Sequence, residues 1–405
     1  MSPNRHHRVL IIGGGTAGIT TAARLRRAGV TDIALLDPTE THWYQPLWTL
    51  VGGGRAPLRS TRRSEASVMP KGVRWIRQAA VSVDPEARTV VTSHGDEVGY
   101  EYLVVAPGLQ LDWDGVPGLA EAIARPGGGG TGVTSNYSPE YAPRTWDLIR
   151  GMRSGTAVFT HPAGPVKCGG APQKIMYLAA DHWRREGVLD QIDIVFLSAE
   201  TALFKVSPWA QVLERVADRY GARIRLSSQV TALDGDRREL TVSDDATGTS
   251  STLPYDLLHA VPPQSAPDWI KKSALSDPAS PWGYVEVDKH TLQHARYPEV
   301  FALGDVANLP TSKTGAAIRK QSPVVVANLL SVMRGEKPRR KYDGYTSCPV
   351  VTARNRMLLA EFDYDLRPAP SVPLLDTGKE RYDMWLLKRY GLPQMYWHGM
   401  LAGRV

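Results

Sequence analysis

Near the amino terminus an apolar run, Arg8-Val-Leu-Ile-Ile12, leads directly into three glycines and then into a small-residue stretch over residues 16–28, closed by Gly29. A short apolar run bounded by turn residues predicts a strand buried on both faces, and the stretch after it predicts a helix with a glycine stop. Asp32-Ile-Ala-Leu-Leu36 predicts the next strand. That βαβ order implies a parallel sheet. The pattern recurs as Thr156-Ala-Val-Phe159, a helix over about 174–186, and Asp193-Ile-Val-Phe-Leu197. Between the two units the glycine run at 127–130 predicts a flexible loop or a domain boundary. From about Trp282 the pattern changes, and Val300-Phe-Ala-Leu303 runs into Gly304-Asp305 as a strand expected to rejoin the first sheet. No repeat of fixed period is present, which sets solenoids and propellers aside.

The turn after the first strand, Gly13-Gly-Gly15-Thr16-Ala17-Gly18, fits G-x-G-x-x-G. Glycines there permit a tight turn, a close backbone approach to a pyrophosphate and helix-to-strand packing, while the helix start attracts the phosphate charge. Asp37, ending the second strand, is placed to hydrogen-bond a ribose. Gly304-Asp305 resembles the second signature of FAD proteins of the glutathione-reductase-like superfamily. Tyr102-Leu-Val-Val-Ala106-Pro-Gly108 resembles its middle motif, with Pro107 where threonine is usual. The three motifs in order imply FAD rather than NAD. The expected fold is α/β, with two Rossmann-like dinucleotide-binding-type domains. The FAD domain is discontinuous (1–115 and 282–345) around a second domain (116–281), and a C-terminal region follows (346–405).

The second unit lacks the glycine turn. In its place stands His161-Pro-Ala-Gly-Pro-Val-Lys-Cys168-Gly-Gly-Ala-Pro172, whose prolines cannot give the close backbone approach that a dinucleotide needs. Nicotinamide is therefore not expected as the electron donor. Cys168 lies just upstream of a helix start with Lys167 beside it, and both features favour thiolate. The chain has two cysteines in all, Cys168 and Cys348, too few and too far apart for a structural disulfide framework. The ten histidines show no ligand spacing, so no metal is expected.

At 405 residues and 42% hydrophobic content the chain can bury a large core. Its formal net charge of +7 is spread along the sequence rather than gathered into tracts. That argues against nucleic acid and for an anionic membrane surface or a small anionic substrate. No apolar run is long enough to span a bilayer, and the first strand begins too soon to leave room for a signal peptide. A cytoplasmic location is expected. From Tyr382 to Val405, aromatic and aliphatic residues mix with Lys388, Arg389 and Arg404, a composition suited to the headgroup interface. Packing against the core or a dimer contact is the alternative.

Several longer segments resemble the sulfide:quinone oxidoreductases, in particular their two-cysteine, mitochondrial-type branch. They include His42-Trp-Tyr-Gln-Pro46, Ser135-Asn-Tyr-Ser138, Pro165-Val-Lys-Cys168, Ala171-Pro-Gln-Lys-Ile-Met-Tyr177, Asn308-Leu-Pro-Thr-Ser-Lys-Thr314, Tyr342-Asp-Gly-Tyr-Thr-Ser-Cys-Pro349 and Leu359-Ala-Glu-Phe-Asp-Tyr364. The resemblance implies oxidation of hydrogen sulfide at Cys168 and Cys348, joined at rest by a disulfide or a bridge with extra sulfur. Attack by hydrosulfide leaves a persulfide on Cys348 and frees Cys168 to pass electrons through FAD to a membrane quinone. The sulfur then leaves to a small thiol or sulfite, or grows into polysulfide. Gly13, Gly15, Thr16, Ala17, Gly18, Asp37, Gln45, Val81, Ala106, Gly108, Gly304 and Asp305 match positions lining FAD in that family or superfamily. Lys313 and Gly315 precede a helix expected to point at the flavin's pyrimidine edge, with Lys320 and Gln321 as weaker candidates, and Phe362 is expected to hold the quinone ring. The implied setting is a peripheral protein on the cytoplasmic membrane face, with homo-oligomerisation left open. An NADH:quinone oxidoreductase and a reactive-sulfur sensor without turnover are the rivals.

Overall fold

The computed structural model describes residues 6–125, 130–372 and 375–405. The first apolar run forms β1 (His6–Ile12), which leads through the glycine turn into α1 (Thr16–Arg27) and then β2 (Ile33–Leu36). Both faces of these strands are covered, so nearly every residue from Val9 to Ile12 and from Ile33 to Leu36 is buried, as a parallel sheet demands. β1 pairs in parallel with β2 on one side and with β3 (Glu97–Val105) on the other. Strand Arg74–Ile76 extends one edge, and an antiparallel pair, Thr89–Thr92 and Ala80–Asp84, extends the other.

The second unit repeats the order with β4 (Gly155–His161), α2 (Ala171–Arg185) and β5 (Ile192–Ser198) in a five-stranded sheet, parallel throughout. A three-stranded antiparallel sheet (residues 228–254) is attached to it. The chain then returns to the first sheet, where β6 (Val300–Ala302) pairs in parallel with residues 103–105 of β3. α3 (Gly315–Met333) follows and packs on α1. Next comes a hairpin, β7 (Thr346–Ala353) with β8 (Arg356–Phe362), whose register puts Cys348 opposite Ala360. Of the glycine run at 127–130, residues 127–129 lie outside those described, and Gly130 sits in a turn.

Helical turns continue from Tyr382 to Met400, widening into π-type turns at Leu387–Gly391 and Met395–Met400. This segment has two faces. Trp385, Lys388, Tyr396, Trp397 and Met400 are buried against the protein, whereas Tyr382, Leu386, Leu387 and Tyr390 are exposed. One side of the segment packs on the core and the other is exposed. Among the described residues no helix is long and apolar enough to cross a membrane.

Candidate active site

The dinucleotide turn is built on contacts that admit no side chain. Gly13 has φ +100°, and a Cβ there would lie 2.3 Å from the Ala106 carbonyl oxygen; one at Gly18 would lie 1.8 Å from the Gly13 oxygen. Gly14 N–H donates to Asp37 Oδ2 at 2.6 Å, and Thr39 N–H and hydroxyl donate to Oδ1, so Asp37 fastens the turn to the end of β2. Gly15 differs. A Cβ there would meet nothing within 4 Å, and the same holds at Gly108 and Gly315. Three motifs far apart in sequence thus turn bare backbone toward open space, beside two helix starts that favour negative charge. α1 has no side-chain cap, leaving its first N–H groups free for a ligand, whereas the Thr314 hydroxyl caps α3 by accepting from Ala317 N–H. These residues fit FAD.

The two cysteines meet through the segment before α3. Lys167 and Lys313 pair as parallel neighbours, and Cys168 N–H donates to the Lys313 carbonyl at 2.9 Å. On the other side the Thr346 hydroxyl donates to the Ser312 carbonyl and shares a hydrogen bond with Thr314. Residues 312–314 therefore hold the Cys168 loop against β7, and the two Sγ atoms lie 3.5 Å apart. Cys348 is fully buried. Cys168 has φ +57°, a left-handed conformation that costs a non-glycine residue about 1–2 kcal/mol. Strain of that kind persists where the surroundings over-determine a functional geometry.

The pair is electrically uneven. The hydrogen bond to Cys348 holds the Cys168 thiol well below the usual range, and Lys174, whose Nζ donates to Cys168 Sγ at 3.1 Å, and then Lys388 add to this. The same hydrogen bond, with burial and the neighbouring thiolate, pushes Cys348 well above it. One proton stays on Cys348 while Cys168 is the thiolate. Lys388 arrives from the C-terminal segment, 3% exposed, with Nζ donating to the Pro46 carbonyl; burial first, and then Lys174, push it down to about 7.

Residues 7–135 match the family described as pyridine nucleotide-disulphide oxidoreductase. Over 400 residues the chain is 42% identical to the mitochondrial sulfide:quinone oxidoreductase of Mus musculus, covering 98% of this chain and 87% of that protein. Identity to the mitochondrial sulfide:quinone oxidoreductase of Dictyostelium discoideum is also 42%, with 98% and 86% covered. The chain belongs to the sulfide:quinone oxidoreductases. In fold it is similar to the sulfide:quinone oxidoreductase of Aquifex aeolicus, with a TM-score of 0.82 over 98% of this chain and 92% of that one, at 21% identity. It is an FAD-dependent enzyme with sulfide and a quinone as substrates.

Against that identity the other expected residues fall as follows. Gln45 Oε1 accepts from Lys167 Nζ at 3.0 Å, which joins an expected cofactor residue to the cysteine loop. Sequence adjacency made Lys167 the expected cation at Cys168, and the structure gives that place to Lys174. Lys167 Nζ is drawn to Gln45, and the left-handed Cys168 turns out of the pairing with Lys313, while Lys174 returns from the first turn of α2. Val81 is exposed on its strand. Ala17 and Gly304 are buried near each other, and Gly304 N–H donates to Gln321 Oε1. Burial raises the Asp305 carboxyl, against the pull of Lys313 and Lys167. The Lys313 ammonium donates to the Asp305 and Ala307 carbonyls and sits 3.7 Å over the Tyr284 ring; burial pushes it down to about 8. Lys320 is exposed beside Tyr345. Phe362 is buried edge-on to Phe204, next to Trp209.

Sequence reasoning missed a buried chain in the cofactor region of this sulfide:quinone oxidoreductase. Glu65 Oε2 meets His42 Nδ1 at 3.1 Å, His42 Nε2 meets the Tyr396 hydroxyl at 2.6 Å, and that hydroxyl meets Thr16 Oγ1 at 2.9 Å. Its one signal was His42 inside a quoted family segment. Lys174 had a weak signal too, as a lone cation in the apolar run Ile175-Met-Tyr-Leu178 that follows it, whereas Lys388 stands beside Arg389 and had none.

Proposed function

We propose that catalysis runs on the charge difference between the two cysteines. In the resting enzyme a bridge joins Cys168 to Cys348, and hydrosulfide attacks the sulfur on the Cys348 side. The new S–S bond makes a Cys348 persulfide, and the electron pair of the broken bond leaves on the Cys168 side, as the Cys168 thiolate from a disulfide or as a Cys168 persulfide from a bridge with one extra sulfur. Cys168 is the better leaving group because its thiolate is stabilised by the Cys348 hydrogen bond and by Lys174. A small thiol or sulfite then takes the terminal sulfur from Cys348. When the bridge re-forms, with any extra sulfur kept on Cys168, two electrons leave the sulfur pair. FAD, bound along the open glycine face, supplies the two-electron acceptor that discharges to quinone.

The carrying observation is the Sγ–Sγ distance of 3.5 Å between residues 180 positions apart. It is too long for a disulfide, yet one inserted sulfur, bent at about 105° between two bonds of about 2.05 Å, sets the outer sulfurs about 3.3 Å apart. A bridge with one extra sulfur therefore fits with little movement. The exposed face of Tyr382, Leu386, Leu387 and Tyr390 is the surface that rests on the membrane, where the quinone is found, and Phe362 borders the quinone site. The cytoplasmic face is the side proposed. The test is anaerobic mixing of FAD-loaded enzyme with sulfide, followed by a quinone. Flavin absorbance should bleach and recover, and Cys168→Ser or Cys348→Ser should abolish the bleaching. Bleaching that survives in either variant removes the sulfur pair from the electron path.

A further inference from the structure

At the far end of α2 from the cysteines lies a group of arginines with too few counter-charges. Asp181, 2% exposed, accepts from Arg184 at Oδ1 and from Arg185 and the Arg354 backbone N–H at Oδ2. Arg55 follows the short helix Trp48–Gly52, where Gly53 packs on Leu178 and Gly54 on Trp146, which itself meets His182 edge-on. Arg55 is thus placed beside the last turn of α2. Its carbonyl accepts from Arg389 Nε at 2.9 Å, bringing in the C-terminal segment. Among the described residues Arg55, Arg354 and Arg389 form no ion pair, and Arg55 Nε is buried with no hydrogen-bond partner. Burial, then Arg354, Arg185 and Arg389, make the charge on Arg55 harder to hold. Like charges gathered around one spent carboxylate are a site for an external anion, and guanidinium forks match phosphate geometry.

We propose that Arg55, Arg185, Arg354 and Arg389 bind the phosphate of an anionic phospholipid headgroup. The position argues for lipid over a sulfur acceptor. Along α2, Asp181 and Arg185 lie about 10 Å and about 16 Å beyond Lys174, whose ammonium meets Cys168 Sγ, so an anion held there does not reach the sulfur on Cys348. Beside Arg389 stand the exposed side chains of Leu386, Leu387 and Tyr390, an apolar and aromatic set that suits the acyl and headgroup boundary. The inference rests on the membrane reading above and sharpens it. Attachment selects anionic lipid, and it fixes the orientation of the C-terminal segment that carries Lys388.

The test is co-sedimentation of FAD-loaded enzyme with vesicles of phosphatidylcholine alone and of phosphatidylcholine with phosphatidylglycerol, at low and high salt. Wild type should prefer the anionic vesicles, and Arg354→Gln with Arg389→Gln should weaken that binding about thirtyfold while leaving neutral-vesicle binding, FAD content and Tm in place. Arg354→Lys with Arg389→Lys should recover part of it, and salt should weaken it. Equal wild-type binding to both vesicle types, or an unaffected double Gln variant, overturns the lipid site and leaves the membrane reading standing. No binding to any vesicle removes both. If inorganic phosphate alone saturates the cluster and vesicles do not compete for it, the ligand is a soluble anion and the lipid assignment fails.

Discussion

β1 to α1 and β4 to α2 are the same construction, a buried strand leading into a helix start, and they carry different chemistry. The first turn is three glycines long, packed without room for a Cβ at Gly13 and Gly18 and open at Gly15. The second crosses nine residues between His161 and Ala171 and spends its one left-handed non-glycine position on Cys168. Short and bare, the first loop leaves its helix start open and uncapped. Longer and filled with side chains, the second turns the equivalent place into a thiolate site. A dinucleotide-binding unit changes ligand by lengthening this one loop, with the sheet beneath it left alone.

Substitutions at matching glycines test that contrast most severely. Gly15→Val has open space for its side chain, so the protein should fold with little change in Tm, yet the side chain fills the place meant for the pyrophosphate and FAD content should fall to near zero. Gly170→Ala, just before α2, would meet Val350 Cγ2 at 3.1 Å and should cost about 1 kcal/mol with FAD fully retained. Absorbance at the flavin band after gel filtration, together with melting curves, checks both. Retention of FAD by Gly15→Val would break the comparison. NADH should bleach neither variant nor wild type, because the second turn has no dinucleotide cradle.

The fold was legible because apolar runs and glycine stops are local signals, and β1, α1, β2, β4, α2 and β5 all come from short windows of sequence. The two cysteines were legible as a pair because the chain holds no others. What brings them together was not, since residues 312–314 act as a spacer only through pairing with Lys167 and Thr346. The cation at Cys168 shows the same limit. Adjacency in sequence favoured Lys167, and helical geometry delivered Lys174. The Glu65, His42, Tyr396 and Thr16 chain spans 380 positions and has no local signature.

Lys174 supplies the next largest effect. With Lys174→Met the Cys168 thiol should move up toward its ordinary range, losing about tenfold in thiolate at neutral pH for each unit of rise. Alkylation rate against pH in the reduced enzyme measures this, and Lys167→Met is the control expected to change nothing. The linkage sign follows from the direction of the shift. A depressed thiol pKa adds stability that is complete above the unfolded thiol value and is lost as pH falls through the folded one, so the Lys174→Met cost to Tm should shrink in acid. An equal effect from Lys167→Met would remove the distinction between the two lysines.

The C-terminal segment touches both turns, reaching the cysteine region with Lys388 and Thr16 with Tyr396. Lys388 has a folded pKa of about 7, below its unfolded value of about 10.4. The unfolded chain binds the extra proton between those values, so stability rises with pH across that window and the burial penalty is complete below pH 7. Lys388→Met should therefore raise Tm by several degrees at pH 6 and give almost no gain near pH 10. A uniform gain at every pH would show that apolar packing, and not the charge, sets the cost.

Tyr396→Phe is the mildest change and separates the two contacts of that segment. It keeps the ring against Tyr44 and Trp397 and removes only the hydroxyl, leaving buried His42 Nε2 and the first residue of α1 without their shared partner. Two bonds worth about 1 kcal/mol each are lost, and the one to Thr16 is the one on the glycine turn, so FAD should dissociate about fivefold faster while Cys168 alkylation keeps its wild-type pH profile. Flavin fluorescence on release, followed after dilution, reads the first quantity. A change in the Cys168 profile without a change in FAD release would mean that Tyr396 acts on the cysteine loop, and that the two turns are coupled rather than served separately.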